Sequence, residues 1–462
     1  MLLKVLVLLA AAYGSAGEPA AITIDATRRD STPVPRAFFG QFGEHLGCNV
    51  YNGQWAQILR NPGFEGWEYF EGEAARAETW YGLPDVDAGR DQGLACYWQA
   101  EGDAAYTLDE ESFNSRYAQR IEARRGGGIK TPVMLPLHRI RDYVLSFHSR
   151  TDRPTKADVL VQTAEGRETG RAIVGIRKNR WTRHTARLRV KDGPGAGDLC
   201  YLVIRLRDPA TVWLDHLELF PADHLHGLDP DVVRLCRELR MSLLRFPGGN
   251  FASGYHWRDG IGPRDQRVTM ANPAWGGIEP NHVGTDEWMQ FARAVGAEPL
   301  ICVNCGNGTP EEAADWVRYC NDPPDTALGG LRTRNGHRKP YGVRYWEIGN
   351  ELWGDWQIGH CAPEEYAARY DAFSKAMLAA DPHLLLIANG GDGDWNERFL
   401  RAVTAPVRSL SIHRLVGWDV PAETEPADVF AALAAYGRVF DEEIDRVGGG
   451  IDPPVLPHHR TY

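Results

Sequence analysis

The residues of this sequence that are best suited to chemistry are carboxylates and amides that follow predicted strands. In residues 346–351 a hydrophobic strand passes into Gly-Asn-Glu, which places Glu351 at the strand end. Aromatic neighbours such as Trp353 and Trp356 would partly desolvate this carboxyl, raise its pKa and suit it to donate a proton. Asn350 beside it could hydrogen-bond a ligand hydroxyl. The alternative is a structural carboxylate that caps a helix or pairs with an arginine.

Two other segments combine a strand end with polar side chains. Residues 245–251 read Arg-Phe-Pro-Gly-Gly-Asn-Phe, and the two glycines allow the backbone to approach a ligand closely. Asn250 then offers both a donor and an acceptor. Residues 39–47 place Glu44 and His45 at the end of a further predicted strand. A tight structural turn and a structural Glu-His pair are the competing interpretations of these two segments.

The elements that carry these residues form two different patterns. From residue 228, helices opened by Asp229-Pro230 and Thr309-Pro310 alternate with apolar strands. Strands are predicted at 242–246, 299–303, 343–349, 383–388 and 409–413, and helices at 286–295, 310–320, 363–380, 397–403 and 427–447. Such strand–helix repeats indicate a parallel sheet, either a barrel or doubly wound. No G-x-G-x-x-G follows a strand, which weakens a dinucleotide-binding interpretation.

Residues 69–221 have mostly a period of two, as in Tyr143, Leu145 and Phe147. Several short strands separated by turn residues are typical of a β-sandwich. Before this region, strands are predicted at 21–26 and 38–42, and a short helix at 55–59.

Composition narrows the function further. The 462 residues carry a formal net charge of −11, which argues against a nucleic-acid partner. A basic start, a short apolar run and small residues within 1–17 predict a secretory signal peptide, and no later segment is apolar enough to span a membrane. We therefore expect a secreted or periplasmic protein. Cys302 and Cys305 form a lone C-x-x-C that we interpret as packing cysteines, and no metal-ligand spacing is evident among the 15 histidines.

Taken together, these segments resemble the family-51 glycoside hydrolases, the α-L-arabinofuranosidases. The resemblance is carried by residues 39–54, "RFPGGNFASGYHWRDGIGP" at 245–263, "GTPEEAADWVRYCN" at 308–321 and "GNELWGDWQIGH" at 349–360. It extends from about residue 21 to residue 447. The resemblance implies an α/β fold, a (β/α)8 TIM-type barrel. In some members a sandwich like a carbohydrate-binding module is inserted before the second barrel strand.

The implied activity is that of a retaining exo-glycosidase that removes terminal α-L-arabinofuranosyl residues from polysaccharides or oligosaccharides, without a metal or redox cofactor. By the resemblance, Glu351 is the general acid/base and Asn350 binds the sugar near its 2-hydroxyl. Glu44 and Asn250 bind other hydroxyls, and His413 on the sixth strand lies at the site. The family usually has a tyrosine two residues after this histidine, where this sequence has Leu415.

The second carboxyl group of a retaining glycosidase, the nucleophile, is not found. The family's nucleophile is a glutamate at the end of the seventh strand, whereas six barrel strands are predicted here. No glutamate follows Glu443, which lies in an amphipathic helix. We therefore expect the nucleophile to be absent from this chain, the barrel to be incomplete and truncated, and the chain as given to be poorly active or inactive.

The predicted organisation has four parts. A signal peptide occupies 1–17, the N-terminal strand and first barrel strand 18–68, the carbohydrate-binding-module-like sandwich 69–222, and the remainder of the barrel 223–462. The alternative function is a non-catalytic carbohydrate-binding protein in which the sandwich binds polysaccharide and the barrel is a remnant. No membrane or nucleic-acid partner is expected, and the oligomeric state is left open.

Overall fold

The computed structural model describes residues 25, 27, 36–71, 83–124, 126–191, 193–413, 420–421 and 423–448. The predicted signal peptide at 1–17, most of the predicted strand at 21–26, Leu415 and the tail from 449 lie outside the described residues. The described residues form a parallel sheet with helices, here called the barrel sheet, and two antiparallel sheets, here called the sandwich.

The barrel sheet has six parallel strands that lie in chain order, each paired with the next. They are Gln41–Phe42, Leu243–Phe246, Glu298–Val303, Tyr345–Ile348, Leu385–Asn389 and Leu410–Ser411. Parallel neighbours need crossover connections, and helices supply most of these in this fold class. The predicted α/β barrel sheet of about six strands is confirmed, and the carboxyl ends of all six strands meet at one edge.

The seven helices of the described residues mostly begin within one residue of the predicted start, whereas the helix predicted to begin at 397 begins at Gly393. They are Pro230–Glu238, Thr285–Val295, Pro310–Asn321, Ala327–Arg334, Pro363–Ala380, Gly393–Ala402 and Pro426–Gly448. The Asp229 side chain accepts hydrogen bonds from the first turn of its helix, and Thr309 does the same for the amide of Glu312. The helix Ala327–Arg334 was not predicted, because its two glycines interrupt any apolar stripe. Among the helices of the described residues, none is long and apolar enough to cross a membrane.

Large aromatic side chains fill the space between the barrel sheet and its helices. Phe246, Trp288, Trp316, Trp346 and Tyr366 are all fully buried there. Each such ring removes a large apolar area from water, which is the main favourable contribution to packing this layer. The strand ends that carry the candidate residues are therefore held on a rigid base.

The sandwich consists of two five-stranded antiparallel sheets. One contains Gln99–Glu101, Gly128–Met134, Leu199–Leu206, Thr155–Thr163 and Glu168–Ile176, and the other contains Ala104–Asp109, Ala118–Ala123, Ala210–Pro221, Asp142–Thr151 and Thr182–Arg189. Tyr143, Leu145 and Phe147 point into a common core with Leu202 and Ile204. The period-two interpretation of this region is confirmed.

Two predictions near the amino-terminal end are wrong. The segment at 55–59 is extended rather than helical, because Ala56 N donates to Gly227 O at 2.8 Å and Ile58 N donates to Leu219 O at 3.0 Å. These bonds tie the segment to the end of the sandwich and to the chain that follows it. The predicted strand at 38–42 is shorter than expected: a 3-10 helix Arg36–Phe39 precedes the strand Gln41–Phe42.

Candidate active site

The turn that follows the fourth barrel strand holds the principal candidate residue. Gly349 has φ +84° and Glu351 has φ +48°, both in the left-handed region. A non-glycine residue in this region costs of order 1 kcal/mol or more, and such positions concentrate at functional sites. Asn350 is fully buried, whereas the Glu351 side chain keeps 18% of its surface exposed. Glu351 is therefore held at the strand mouth and remains accessible to a ligand.

Asn350 links the second and fourth strand ends. Its Oδ1 accepts a hydrogen bond from Arg245 Nη2 at 2.7 Å, and its Nδ2 donates to Asn250 Oδ1 at 3.5 Å. Asn250 follows the second strand, and its carbonyl oxygen accepts from Gln357 Nε2 at 3.3 Å. These bonds bring two of the predicted binding residues into direct contact.

A buried ion pair lies directly beneath this turn. Glu347 is 2% exposed, and Arg245 Nε donates to its carboxylate. Burial raises the pKa of Glu347, but the charges of Arg245 and His413 outweigh burial and lower it to about 2. Glu347 is therefore ionised throughout the neutral range.

His413 lies between two carboxylates. Its Nδ1 is 3.0 Å from Glu351 Oε1, and its Nε2 is 3.9 Å from Glu347 Oε1. Burial lowers the pKa of His413, but the nearby carboxylates of Glu347 and Glu351 outweigh burial and raise it to about 9. The imidazole is thus protonated at neutral pH and bridges the two carboxylates as a cation.

This bridge determines the protonation of Glu351. Burial raises the pKa of Glu351, as the sequence predicts, but the hydrogen bond and charge of His413 outweigh burial and hold the pKa below its usual value of 4.5. The expectation of a raised pKa for Glu351 is therefore wrong. The physical reason is the positive charge of His413, which follows the sixth strand and is not apparent from the local sequence around Glu351.

Glu44 is held by the loop that follows the second strand. Its Oε1 accepts from the backbone N of Phe251 at 3.0 Å and from Trp275 Nε1 at 2.9 Å. A Cβ atom on Gly248, whose φ is +125°, would lie 2.4 Å from the Cβ of Glu44. The Pro-Gly-Gly segment thus allows the backbone to approach Glu44 itself, next to Asn250.

His45 lies apart from this site, in a buried structural cluster. Its Nδ1 is 2.5 Å from Glu279 Oε2, and its ring stacks on Phe251 with centroids 4.4 Å apart. Tyr51 also donates to Glu279. Glu44 and His45 are adjacent in the sequence, but the Glu44 side chain lies in the candidate site and the His45 side chain lies in the cluster around Glu279.

The structure brings all five predicted site residues into one connected group. Glu44 contacts the backbone beside Asn250, Asn250 contacts Asn350, and the Arg245–Glu347 pair connects Asn350 to His413 and so to Glu351. Arg245 and Glu347 lie within the predicted segments 245–251 and 346–351, but no role was predicted for either. A charged residue in an otherwise apolar strand was the available signal, since such charges are buried only with a partner.

Two other contributors had no signal of their own. Trp275 and Gln357 come from loops, and only the tertiary structure places them against Glu44 and Asn250.

The C-x-x-C pair contributes packing and no visible chemistry. Cys302 and Cys305 are buried and unpaired. Cys302 Sγ donates to Gly349 O at 3.3 Å, and burial raises the pKa of the Cys305 thiol to about 12. Neutral thiols of this kind are poor nucleophiles, in agreement with the interpretation as packing cysteines.

Comparison with known proteins extends this description. Residues 235–409 match the family model described as "Alpha-L-arabinofuranosidase 1 domain". An α-L-arabinofuranosidase C of Emericella nidulans is 43% identical over 249 residues, covering 50% of this chain and 49% of that protein. A probable α-L-arabinofuranosidase C of Aspergillus fumigatus is 44% identical over 191 residues, covering 41% of this chain and 38% of that protein. The chain therefore spans at most about half the length of these relatives.

A solved arabinose-bound family-51 α-L-arabinofuranosidase superposes on this chain with a TM-score of 0.67 at 20% identity, covering 84% of this chain and 63% of that chain. At 20% sequence identity, this superposition supports the assignment of the fold alone. The fold is that of a parallel (β/α) barrel sheet, and in this class of fold the polar residues at the carboxyl edge of the sheet form the functional site. The sequence matches place residues 235–409 in the α-L-arabinofuranosidase family, and the predicted resemblance is confirmed.

Proposed function

We propose that this chain carries the arabinofuranoside-binding and proton-transfer part of a retaining exo-α-L-arabinofuranosidase that acts on arabinose-containing polysaccharides. The observation that supports it most directly is the pairing of Glu351 with His413 at the open end of the barrel sheet, with Asn350 and Asn250 beside it. The family match of residues 235–409 agrees with this proposal.

Glu351 is proposed as the general acid/base. Its carboxylate is ionised at neutral pH, and His413 Nδ1, 3.0 Å away, carries a proton. A sugar ring that fills the site would exclude water and strengthen the desolvation that already raises the pKa of Glu351. The proton would then pass from His413 to Glu351, which would donate it to the leaving oxygen.

The neighbouring residues are proposed to bind the furanose hydroxyls. Asn350 and Glu44 have part of their hydrogen-bonding capacity engaged by Arg245, Phe251 and Trp275, which fixes their orientation. Each keeps further hydrogen-bonding positions, which we propose a polyhydroxylated ligand would use on entering the site. Asn250 lies between them and would complete the binding surface.

Glu347 does not suit the role of the second carboxyl group. It is 2% exposed and engaged by Arg245, so its oxygens are not free to attack a sugar carbon. The nucleophile that a retaining mechanism requires stays a prediction from the family resemblance.

The proposal is tested with Glu351→Gln and with the matched control Glu364→Gln, an exposed glutamate on the helix Pro363–Ala380. Hydrolysis of arabinoxylan and of 4-nitrophenyl α-L-arabinofuranoside is compared in a protein that includes the seventh barrel strand with its nucleophile, because the nucleophile is expected to be absent from the present chain. We expect Glu351→Gln to reduce kcat/KM by about 10²–10⁴-fold on arabinoxylan and by much less on the activated aryl glycoside, because the latter needs no proton donor. Added azide should restore turnover in Glu351→Ala and give the azide of retained configuration.

Unchanged activity of Glu351→Gln on arabinoxylan would contradict the assignment. A wild-type protein that includes the nucleophile strand, hydrolyses neither substrate and is still retained on arabinoxylan would instead favour the non-catalytic carbohydrate-binding alternative.

A second function, carbohydrate binding by the sandwich, is proposed on one observation. Arg150 lies 4.2 Å from the ring centroid of Trp213 and 5.6 Å from that of Trp181, forming a polar-aromatic surface of the kind on which sugars stack. Trp181→Ala should lower retention of the chain on insoluble xylan. Equal retention of wild type and variant would remove this proposal.

Secretion also stays a proposal. The basic and apolar segment at 1–17 supports a secreted or periplasmic location. N-terminal sequencing of the mature protein from its native producer should find cleavage near residue 17, and an intact Met1 on the mature protein would contradict it.

A further inference from the structure

Three buried side chains converge where the sandwich meets the barrel part of the chain. His216 and Glu218 lie on the last sandwich strand, Ala210–Pro221, and His282 lies in the loop after the short strand Ile278–Glu279. They are 5%, 4% and 2% exposed. One ligand atom from each lies within 4.8 Å of the others. Two imidazoles and a carboxylate thus face one another away from bulk water.

His216 carries a second, independent indication of a ligand. The register between Ala210–Pro221 and Asp142–Thr151 shifts between Asp215 and Glu218, and His216 at this bulge has φ +47°. Its Nε2 is buried and makes no hydrogen bond. Buried polar atoms normally have a hydrogen-bond partner. Because His216 Nε2 has none and lies among other possible metal ligands, it indicates a position where a ligand could bind.

The charge states suit metal binding at neutral pH. Burial lowers the pKa of His216, and it lowers the pKa of His282 well below its usual value, so both rings are neutral. Burial raises the pKa of Glu218, but the charge of Arg264 and its hydrogen bond to the carboxylate oppose burial, and the pKa lies at about 2. Neutral imidazole and ionised carboxylate are the forms that coordinate metals.

We propose that His216, Glu218 and His282 form a zinc site that joins the sandwich to the barrel part of the chain. A set of two nitrogen ligands and one oxygen ligand without sulfur suits Zn²⁺, whose bonds to such ligands are about 2.0–2.2 Å. Ligands at this distance in a tetrahedral site lie about 3.4 Å apart. His282 Nδ1 is already 4.0 Å from Glu218 Oε1, so a small closure of the cluster would suffice.

The surroundings of the cluster are compatible with this role. Arg264 Nε donates to Glu218 Oε1 at 3.1 Å and would orient the carboxylate as a metal ligand's outer partner. Glu218 also lines a cleft of about 440 Å³ together with Arg183, His224 and His226, which offers an ion and a water ligand a route from solvent. Because His216 and Glu218 belong to the sandwich and His282 to the barrel part, bound zinc would hold the two parts together.

The competing explanation is a structural cluster that binds no ion. In that case Glu218 is present only to pair with Arg264, and the rings of His216 and His282, whose centroids are 5.2 Å apart, pack edge to face.

The first test uses the wild-type chain, stripped with a chelator and titrated with ZnCl₂ against a chromophoric zinc chelator. We expect one tight zinc per chain. X-ray absorption of the loaded protein should show nitrogen and oxygen neighbours at about 2.0–2.2 Å with imidazole scattering and no sulfur near 2.3 Å. The sulfur distance matters because the chain has eight free cysteines. No tight zinc, or a sulfur shell, would overturn the proposal without any variant having to fold.

The second test compares His282→Gln and His216→Gln with His184→Gln. His184 is a matched control, because it also lies in the sandwich and its Nε2 is also buried without a hydrogen bond, but it is outside the cluster. Loss of one direct ligand should weaken zinc binding by at least about 100-fold, since loss of an outer partner alone costs 10–100-fold. Zinc should raise the Tm of wild type and of His184→Gln only. Equal zinc affinity in all four proteins would overturn the assignment.

Discussion

Replacement of His413 by glutamine removes the cation that lies between Glu347 and Glu351. The rise in the pKa of His413 from 6.5 to about 9 corresponds to about 3 kcal/mol of preferential stabilisation of the protonated ring in the folded chain. His413 exposes only 21% of its side chain, so solvent screens this interaction weakly.

The sign of the pH dependence follows from the direction of this shift. A folded-state pKa raised above the unfolded value contributes stability that is fully present below pH 6.5 and is lost as the pH rises through about 9. The wild-type free energy of unfolding should therefore fall by about 3 kcal/mol, relative to His413→Gln, between pH 6 and pH 10.

The assay is urea unfolding of both proteins at several pH values across this range, with His383→Gln as control. His383 is exposed in the loop before the fifth barrel strand, so its variant should follow wild type at every pH. A stability difference between wild type and His413→Gln that does not change with pH would refute the reasoning. An NMR titration that finds the imidazole pKa of His413 at or below 6.5 would refute it independently.

The same substitution should change the protonation of Glu351. Burial, which raises the pKa of Glu351, remains in His413→Gln, whereas the opposing hydrogen bond and charge of His413 are lost. We expect the Glu351 pKa to rise relative to wild type, observed by ¹³C NMR of labelled glutamate and assigned with Glu351→Gln. A further fall in this pKa would contradict the account of the site.

Two further substitutions test how the fold supports the site. Gly248→Ala should destabilise the chain by about 2 kcal/mol and weaken sugar binding, because its φ is +125° and the new Cβ would lie 2.4 Å from the Cβ of Glu44. Gly249→Ala is the control: its Cβ would lie 3.1 Å from Glu44 Oε2 at an ordinary φ, so its free energy of unfolding in urea should fall by less. Equal losses of stability in the two variants would contradict this explanation. Arg332→Leu should lower the free energy of unfolding by about 3 kcal/mol, because the fully buried guanidinium donates to the carbonyl oxygens of residues 319, 322 and 337. Arg334 is exposed on the same helix, so Arg334→Leu should stay within about 0.5 kcal/mol of wild type.

Much of the fold was predictable because the relevant signals are local. Asp229 and Thr309 cap their helices where the sequence indicates, and the alternation of Tyr143, Leu145 and Phe147 matches the inward face of a sandwich strand. Such patterns depend on a few consecutive residues. The helix predicted at 55–59 failed because distant backbone groups of Gly227 and Leu219 compete for its amides.

The sequence by itself determined which residues could form the candidate site. A strand that ends in Gly-Asn-Glu, and glycines after an apolar strand, are constraints that neighbouring residues impose on the backbone, and they identified Glu44, Asn250, Asn350 and Glu351. The tertiary structure alone decided the protonation of this site and the approach of His216 and Glu218 to His282. A pKa depends on every charge within a few ångströms, and His413, which lowers the pKa of Glu351, is 62 residues away along the chain but 3.0 Å away in space.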